Sequence, residues 1–231
     1  MLKIEDALTS AIGYILILST VLIAGALFYT QGLPVLDAAE KATHLSEMEQ
    51  SFSVLKANID EVAFAQAPSR TSEIKIKDGC ISLANESWIE IAGIQYPIGS
   101  VEYELADRVI AYENSAVFVK YLHEESTLLL ASPRVSQGNV SYIPIIQLAG
   151  SDSKGGEGVI RIIAKASEFT SPLYTNNTTV IIKSNYYREW GRYFNETLGL
   201  NVSYSEGKIA IVTFNGTKLY CGISKINLKI A

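Results

Sequence analysis

Ala7-Leu8-Thr9-Ser10-Ala11-Ile12-Gly13-Tyr14-Ile15-Leu16-Ile17-Leu18-Ser19-Thr20-Val21-Leu22-Ile23-Ala24-Gly25-Ala26-Leu27-Phe28-Tyr29 contains no charged side chain, and none follows until Asp37. As a helix this stretch is roughly 34 Å long at about 1.5 Å per residue, enough to cross a bilayer core of about 30 Å. A secretory signal would have a basic start, a shorter apolar run and a small-residue cleavage site. Met1–Asp6 has only Lys3 as a base, with Glu5 and Asp6 as acids. It reads as a polar leader, cleaved or retained, ahead of an apolar segment that stays in the working protein.

Outward from this run the period changes. Gly32-Leu33-Pro34 predicts a kink near 32–34, because proline lacks an N–H and pushes the residue before it out of helical geometry. Ala38, Ala42, Leu45, Met48, Phe52, Leu55, Ile59 and Val62 then recur every three or four residues between charged ones. That spacing predicts an amphipathic helix over 35–67, stopping near Ala67-Pro68. The two halves make a helical stretch of about 60 residues, on the order of 90 Å if straight.

From residue 71 to 231 the pattern is that of strands. Glu73–Lys77 alternates, Asp78-Gly79 is a tight-turn pair, and Cys80–Leu83 is expected to return as the second arm of a hairpin. Further strands are expected at 88–96, 101–105, 116–121, 127–131, 141–148, 159–164, 179–183, 208–214 and 218–228. Asp152–Gly158 reads as a flexible loop. Tyr186, Trp190, Tyr193, Phe194 and Leu198 share one helical face with Gly199 placed to end it, and such a stripe reads as core rather than as a sugar-binding face. The fold class is therefore α+β, with a long hydrophobic-then-amphipathic helix, an antiparallel sandwich-like β domain and one short late helix.

Seven of the eleven asparagines stand in N-x-Ser/Thr sequons, at Asn85, Asn139, Asn176, Asn177, Asn195, Asn201 and Asn215, all after the apolar run. About two are expected by chance at this Ser and Thr content. This points to N-linked glycans on an exterior C-terminal domain, with the N-terminus on the cytoplasmic side. In an exterior domain Cys80 and Cys221 are candidates for a disulfide, worth ~5 kcal/mol in the chain-entropy picture.

The net charge of −5 gives no basic patch for nucleic acid. Two cysteines and two histidines, His44 and His123, show no metal-ligand spacing. Ser151-Asp152-Ser153-Lys154 and Ser205-Glu206-Gly207-Lys208 have S-x-x-K spacing but fall in glycine-bearing polar loops, not at the start of a buried helix. The expectation is a non-enzymatic protein without cofactor or metal.

The block Ala7 to Ile17, with its Ile12-Gly13 dipeptide, resembles the archaeal type IV pilins and archaellins. Ala111-Tyr112-Glu113-Asn114-Ser115-Ala116-Val117-Phe118 and Trp190-Gly191-Arg192-Tyr193-Phe194 are similar to that group as well. The resemblance implies a structural subunit that waits in the membrane, is processed by a prepilin peptidase, and is polymerised by pilus assembly machinery into a helical filament for surface attachment. Small residues at Ala11, Gly13, Ala24 and Gly25 would let neighbouring helices approach. Two departures are visible: Ser10 stands where many relatives carry glutamate, and Met1–Asp6 lacks the basic-then-small pair the peptidase prefers. If Met1 is instead the mature terminus, Glu5 takes the fifth position, where such pilins place a glutamate. The alternative expectation is a monomeric anchored surface glycoprotein or adhesin, or a minor filament component.

Overall fold

The computed structural model describes residues 2–65, 67–124, 126–150, 152–175, 177–215 and 218–231, with side chains from Ala11 onward. The chain divides into two compact units, one ending at Glu47 and the other running from Met48 to Ala231. The α+β class is as read: a long N-terminal apolar helix, a β-rich domain and one short late helix.

The first unit is helical. α1 (Leu2–Leu27) passes into a π-helical turn at Phe28–Gly32 and then into α2 (Leu33–Phe64), whose residues from Met48 on belong to the second unit. The break expected near 32–34 is absorbed in this way. Pro34 has no N–H to return to Thr30, and one extra residue per turn lets the N–H of Leu33 reach Phe28 O instead. The Thr30 hydroxyl donates back to Ala26 O at 2.8 Å, as Thr20 does to Leu16 O at 2.7 Å, so neither hydroxyl is left bare on an apolar helix.

In the second unit, Met48, Phe52, Leu55, Ile59 and Val62 are all buried, as their spacing predicts. Ala38 and Ala42, read as part of the same stripe, are exposed. α2 ends at Phe64, close to the expected stop.

Among the described residues three sheets follow. The first joins β1 (Ser69–Ile76), β11 (Gly158–Thr170), β16 (Lys218–Ile230) and β12 (Leu173–Tyr174), with β9 (Val140–Ala149) also on β16. The second is ordered β10 (Ser153–Gly155), β2 (Cys80–Ala84), β5 (Ser100–Leu105), β6 (Arg108–Glu113), β7 (Ala116–Tyr121) and β8 (Ser126–Ala131). The third is ordered β14 (Asn201–Ser205), β15 (Ile209–Phe214), β13 (Thr178–Lys183), β3 (Trp88–Ile91) and β4 (Ile94–Pro97). Pairing is antiparallel except between β9 and β16, which run parallel over ten residues.

Several expectations are corrected. β1 and β2 do not form a hairpin: β1 pairs β11 while β2 pairs β5 and β10, so Asp78-Gly79 hands the chain from one sheet to another. Gly79 has φ +88°, and a Cβ there would meet Glu104 O at 2.5 Å. Gly79→Ala is therefore expected to lower the unfolding free energy of the detergent-solubilised chain by about 2 kcal/mol, measured by chemical denaturation. The stretch 88–96 is a hairpin, turned at Ala92-Gly93 with both φ positive. Part of the expected loop 152–158 is strand β10. Strands β6, β12 and β14 had no counterpart in the sequence reading.

The core lies where β3, β6, β7, β9, β13, β15 and β16 meet the late helix α3 (Tyr187–Arg192) and its π-helical extension Tyr193–Thr197. Tyr186, Trp190, Tyr193 and Phe194 are buried, and Gly199 closes the segment at φ +65°. Phe118 stacks on Tyr186 at 4.9 Å between centroids and meets Trp190 edge-on at 5.6 Å.

Candidate functional site

The first candidate surface is α1 itself. Tyr14, Ile15, Leu16, Ile17, Leu18, Val21, Leu22 and Ile23 are each at least 60% exposed, and Phe28, Val35 and Leu36 are also bare. The helix is long and apolar enough to cross a membrane, consistent with a membrane anchor or a signal sequence. Ala11, Ala24 and Gly25 are exposed and Gly13 is half-exposed. A Cβ added at Gly13 or Gly25 would meet nothing within 4 Å, so no contact within the described chain requires either glycine. Glycine costs about 1 kcal/mol against alanine in a helix interior, and what it offers in exchange is close approach by another backbone.

The second feature is buried and polar. Tyr112-Glu113-Asn114-Ser115 forms the β6–β7 turn, and all four residues are fully buried although three are polar. Asn114 and Ser115 both have positive φ, 46° and 65°, the geometry of a two-residue hairpin turn. The Asn114 amide bridges β9, donating to Pro144 O at 2.9 Å and accepting from Ile146 N–H at 2.8 Å. Ser115 Oγ donates to Asp60 Oδ2 at 3.0 Å. The same oxygen accepts from Lys56 Nζ at 2.7 Å and Arg134 Nε at 3.0 Å. A buried carboxylate with two cationic donors and a hydroxyl thus ties α2 to the β6–β7 turn and to the segment before β9.

Glu113 ties the other side. Its Oε1 accepts from Ser184 Oγ at 2.6 Å and Trp190 Nε1 at 2.8 Å, joining β6 to the end of β13 and to α3. Burial pushes the Glu113 carboxyl up to about 7, against hydrogen bonds from Ser184, Ser87 and Trp190 that hold it down, with Glu102 adding to the rise. Its folded-state value lies above the ordinary 4.5, so Glu113 is neutral in both folded and unfolded chains in acid. Between about 4.5 and 7 the unfolded chain ionises first, and stability falls as pH rises. The loss approaches about 3 kcal/mol above neutrality, and Glu113→Gln is expected to flatten this slope in denaturation curves taken from pH 4 to pH 8.

Six of the sequon asparagines are on the surface, although the hydroxyl residues Ser87, Ser141 and Thr178 are buried. Asn85, Asn139, Asn177, Asn195, Asn201 and Asn215 are all exposed, while Asn176 lies outside the described residues. The cysteines do not pair: Cys80 is an exposed thiol on β2, Cys221 is a buried one on β16, and both are free. They sit in different sheets, and Cys221 packs within the apolar core, where burial pushes its thiol up to about 12. The expected disulfide is corrected to two free thiols. Of the two S-x-x-K patterns, Ser151 lies outside the described residues and Ser205 ends the exposed edge strand β14. Among the described residues no group of three His, Cys, Asp or Glu side chains gathers as a metal site.

The Asp60 cluster and the Glu113 clasp were not singled out as sites from sequence. The signal in the sequence was that Ala111–Phe118 and Trp190–Phe194, over seventy positions apart, were both read as resembling one family, and the structure joins them through the Trp190–Glu113 hydrogen bond. Compared with known proteins, residues 7–221 match a family described as a family of unknown function, DUF7289. No curated protein and no solved structure matches the chain.

Proposed function

The chain belongs to the DUF7289 family, whose function is unknown, and from its own residues we propose that it is a structural subunit of an archaeal type IV pilus-like surface filament. It waits in the membrane through α1 and polymerises through the same helix. The C-terminal domain faces outside, carries N-linked glycans and serves in surface attachment. The reading makes the protein a structural one rather than an enzyme, and it implies a prepilin peptidase and assembly machinery as partners.

The observation that carries the proposal is the bare apolar helix with two glycines that no contact within the described chain requires. Each exposed large apolar side chain gives up about 1.5–3 kcal/mol relative to burial, so α1 needs an apolar surrounding. Lipid supplies one. Lipid gives no reason for Gly13 and Gly25, whereas a neighbouring helix does.

A second reading, a permanently anchored monomeric glycoprotein, is favoured by Ser10 standing where many of the pilins the chain resembles carry glutamate. Cross-linking separates the two. Ala24→Cys in a Cys80→Ser chain leaves one reactive thiol per chain, because Cys221 is buried in the core, and is expected to give a disulfide-linked dimer band on oxidation of cells. A monomer band alone under the same oxidation would reject the filament reading.

A further inference from the structure

Five sequons from separate parts of the sequence arrive at one end of the β domain. Thr178 pairs with Phe214, which places Asn177 and Asn215 side by side just beyond the ladder. Asn201 pairs with Thr213, two residues from Asn215. Lys218 pairs with Val140, bringing Asn139 to the same end. Asn195 Nδ2 donates to Leu200 O at 3.2 Å, which puts it beside Asn201. Asn85, by contrast, precedes Trp88, which pairs with Lys183 at the far end of β13.

From Asn195 a shallow cleft of about 590 Å³ runs back along the edge strand toward Tyr204, which pairs with Ala210, and its walls are Tyr187, Tyr204, Arg188, Arg192, Glu196 and Asn195 itself. Tyr204 is 54% exposed yet held in place. Its ring meets Tyr187 edge-on at 6.0 Å and 78°. It also lies across Gly191, where a Cβ would come within 2.6 Å of Tyr204 Cε1, so the glycine keeps room for the ring. The Arg188 guanidinium sits 5.8 Å from the Tyr187 ring centre, and Arg192 is held by Glu189 at 3.0 Å. The cleft thus offers an ordered aromatic face with guanidinium donors and the Glu196 carboxylate at its rim. A pyranose has the matching pattern, with an apolar C–H face for the tyrosines and a hydroxyl edge for charged donors and acceptors.

We propose that the glycan on Asn195 folds back into this cleft and stacks on Tyr204, so that the domain carries its own saccharide ligand. The proposal rests on the exterior placement of the domain. Attachment uses a phosphate-activated saccharide: Asn195 Nδ2 bonds to the anomeric carbon, the C–O bond to phosphate breaks, the phosphate leaves, and the amide proton passes to solvent. Once attached at the wall, the sugar needs no intrinsic affinity beyond weak stacking, because its effective concentration in the cleft is that of a short tether.

The test uses the full chain extracted from its native membrane, with glycopeptide mass spectrometry at Asn195 and hydroxyl-radical footprinting at Tyr204. The expected result is a saccharide mass on Asn195 and Tyr204 oxidation that rises severalfold in both Asn195→Gln and Thr197→Ala. Thr197→Ala removes the sequon while leaving the Asn195–Leu200 hydrogen bond. Asn85→Gln, at the other end of the sheet, is expected to leave Tyr204 unchanged. Equal Tyr204 oxidation in wild type and both variants would overturn the proposal, as would an unmodified Asn195 on a chain whose other sequons are occupied. A chain with no sequon occupied would remove the exterior placement as well. Both readouts are taken on single extracted chains, so they stand whether or not the chain forms filaments.

Discussion

Trp190→Ala is expected to lower the unfolding free energy by about 4 kcal/mol, the cost of removing a large aromatic from a packed interior. Trp190 is 1% exposed and touches Phe118 and Phe194, so its loss opens a cavity against rings that cannot all close in. Its indole N–H also donates to Glu113, and removing that donor weakens the hold on a carboxyl that burial already pushes up. Trp190→Phe narrows the comparison: it keeps a six-membered ring in the packing and loses the donor together with the pyrrole ring, at a cost of about 2 kcal/mol. Chemical denaturation of the two variants at pH 5 and pH 8 checks the assignment. At pH 5 Glu113 is protonated in the folded chain, so the difference between the variants there reports packing.

Gly25→Leu is expected to leave the chain in the membrane fraction and abolish filaments. Leucine is more favourable than glycine both in lipid and in a helix interior, so anchoring and helix formation are preserved or improved. Nothing within 4 Å of a Cβ at this position resists the added side chain in the chain itself. A neighbouring helix seated against Gly25 would be pushed away. Gly13→Leu is expected to act in the same way, and membrane fractionation with electron microscopy of the cell surface reads both outcomes.

What could be read in the sequence divides along physical lines. The stripe Met48, Phe52, Leu55, Ile59, Val62 was legible because large apolar side chains at helical spacing have one way to be buried together. Ala38 and Ala42 fit the same spacing and are exposed, since a methyl group adds too little burial to enforce a face. Asp78-Gly79 was read correctly as a turn, with Gly79 at positive φ, but wrongly as a hairpin. The partner of β1 lies near residue 160, and nothing local to the turn carries that information. β14 was invisible because four of its five residues are exposed, so an edge strand of this kind shows no alternation. β6 was missed because its bounding turns, Ala106-Asp107 and Asn114-Ser115, use residues other than glycine at positive φ.

The candidate sites divide similarly. The apolar helix and the sequons are local patterns, and each was visible. The Asp60 cluster draws on Lys56, Ser115 and Arg134, and the Glu113 clasp on Ser184 and Trp190. Three polar residues in a row between apolar segments read as an exposed turn until their distant partners are in place. The cysteine pair failed for the opposite reason: placement near both ends of a β domain makes a disulfide attractive, but Cys221 is committed to the apolar core while Cys80 sits on the surface of another sheet.

The central claim is that α1 moves from lipid into a bundle of its own copies. The most direct measurement is to shear surface filaments from cells, image them, and identify their subunits by mass spectrometry. The account predicts filaments in which this chain is a subunit. Finding this chain only in the membrane, with surface filaments that do not contain it, would contradict the account and leave the anchored monomer in its place.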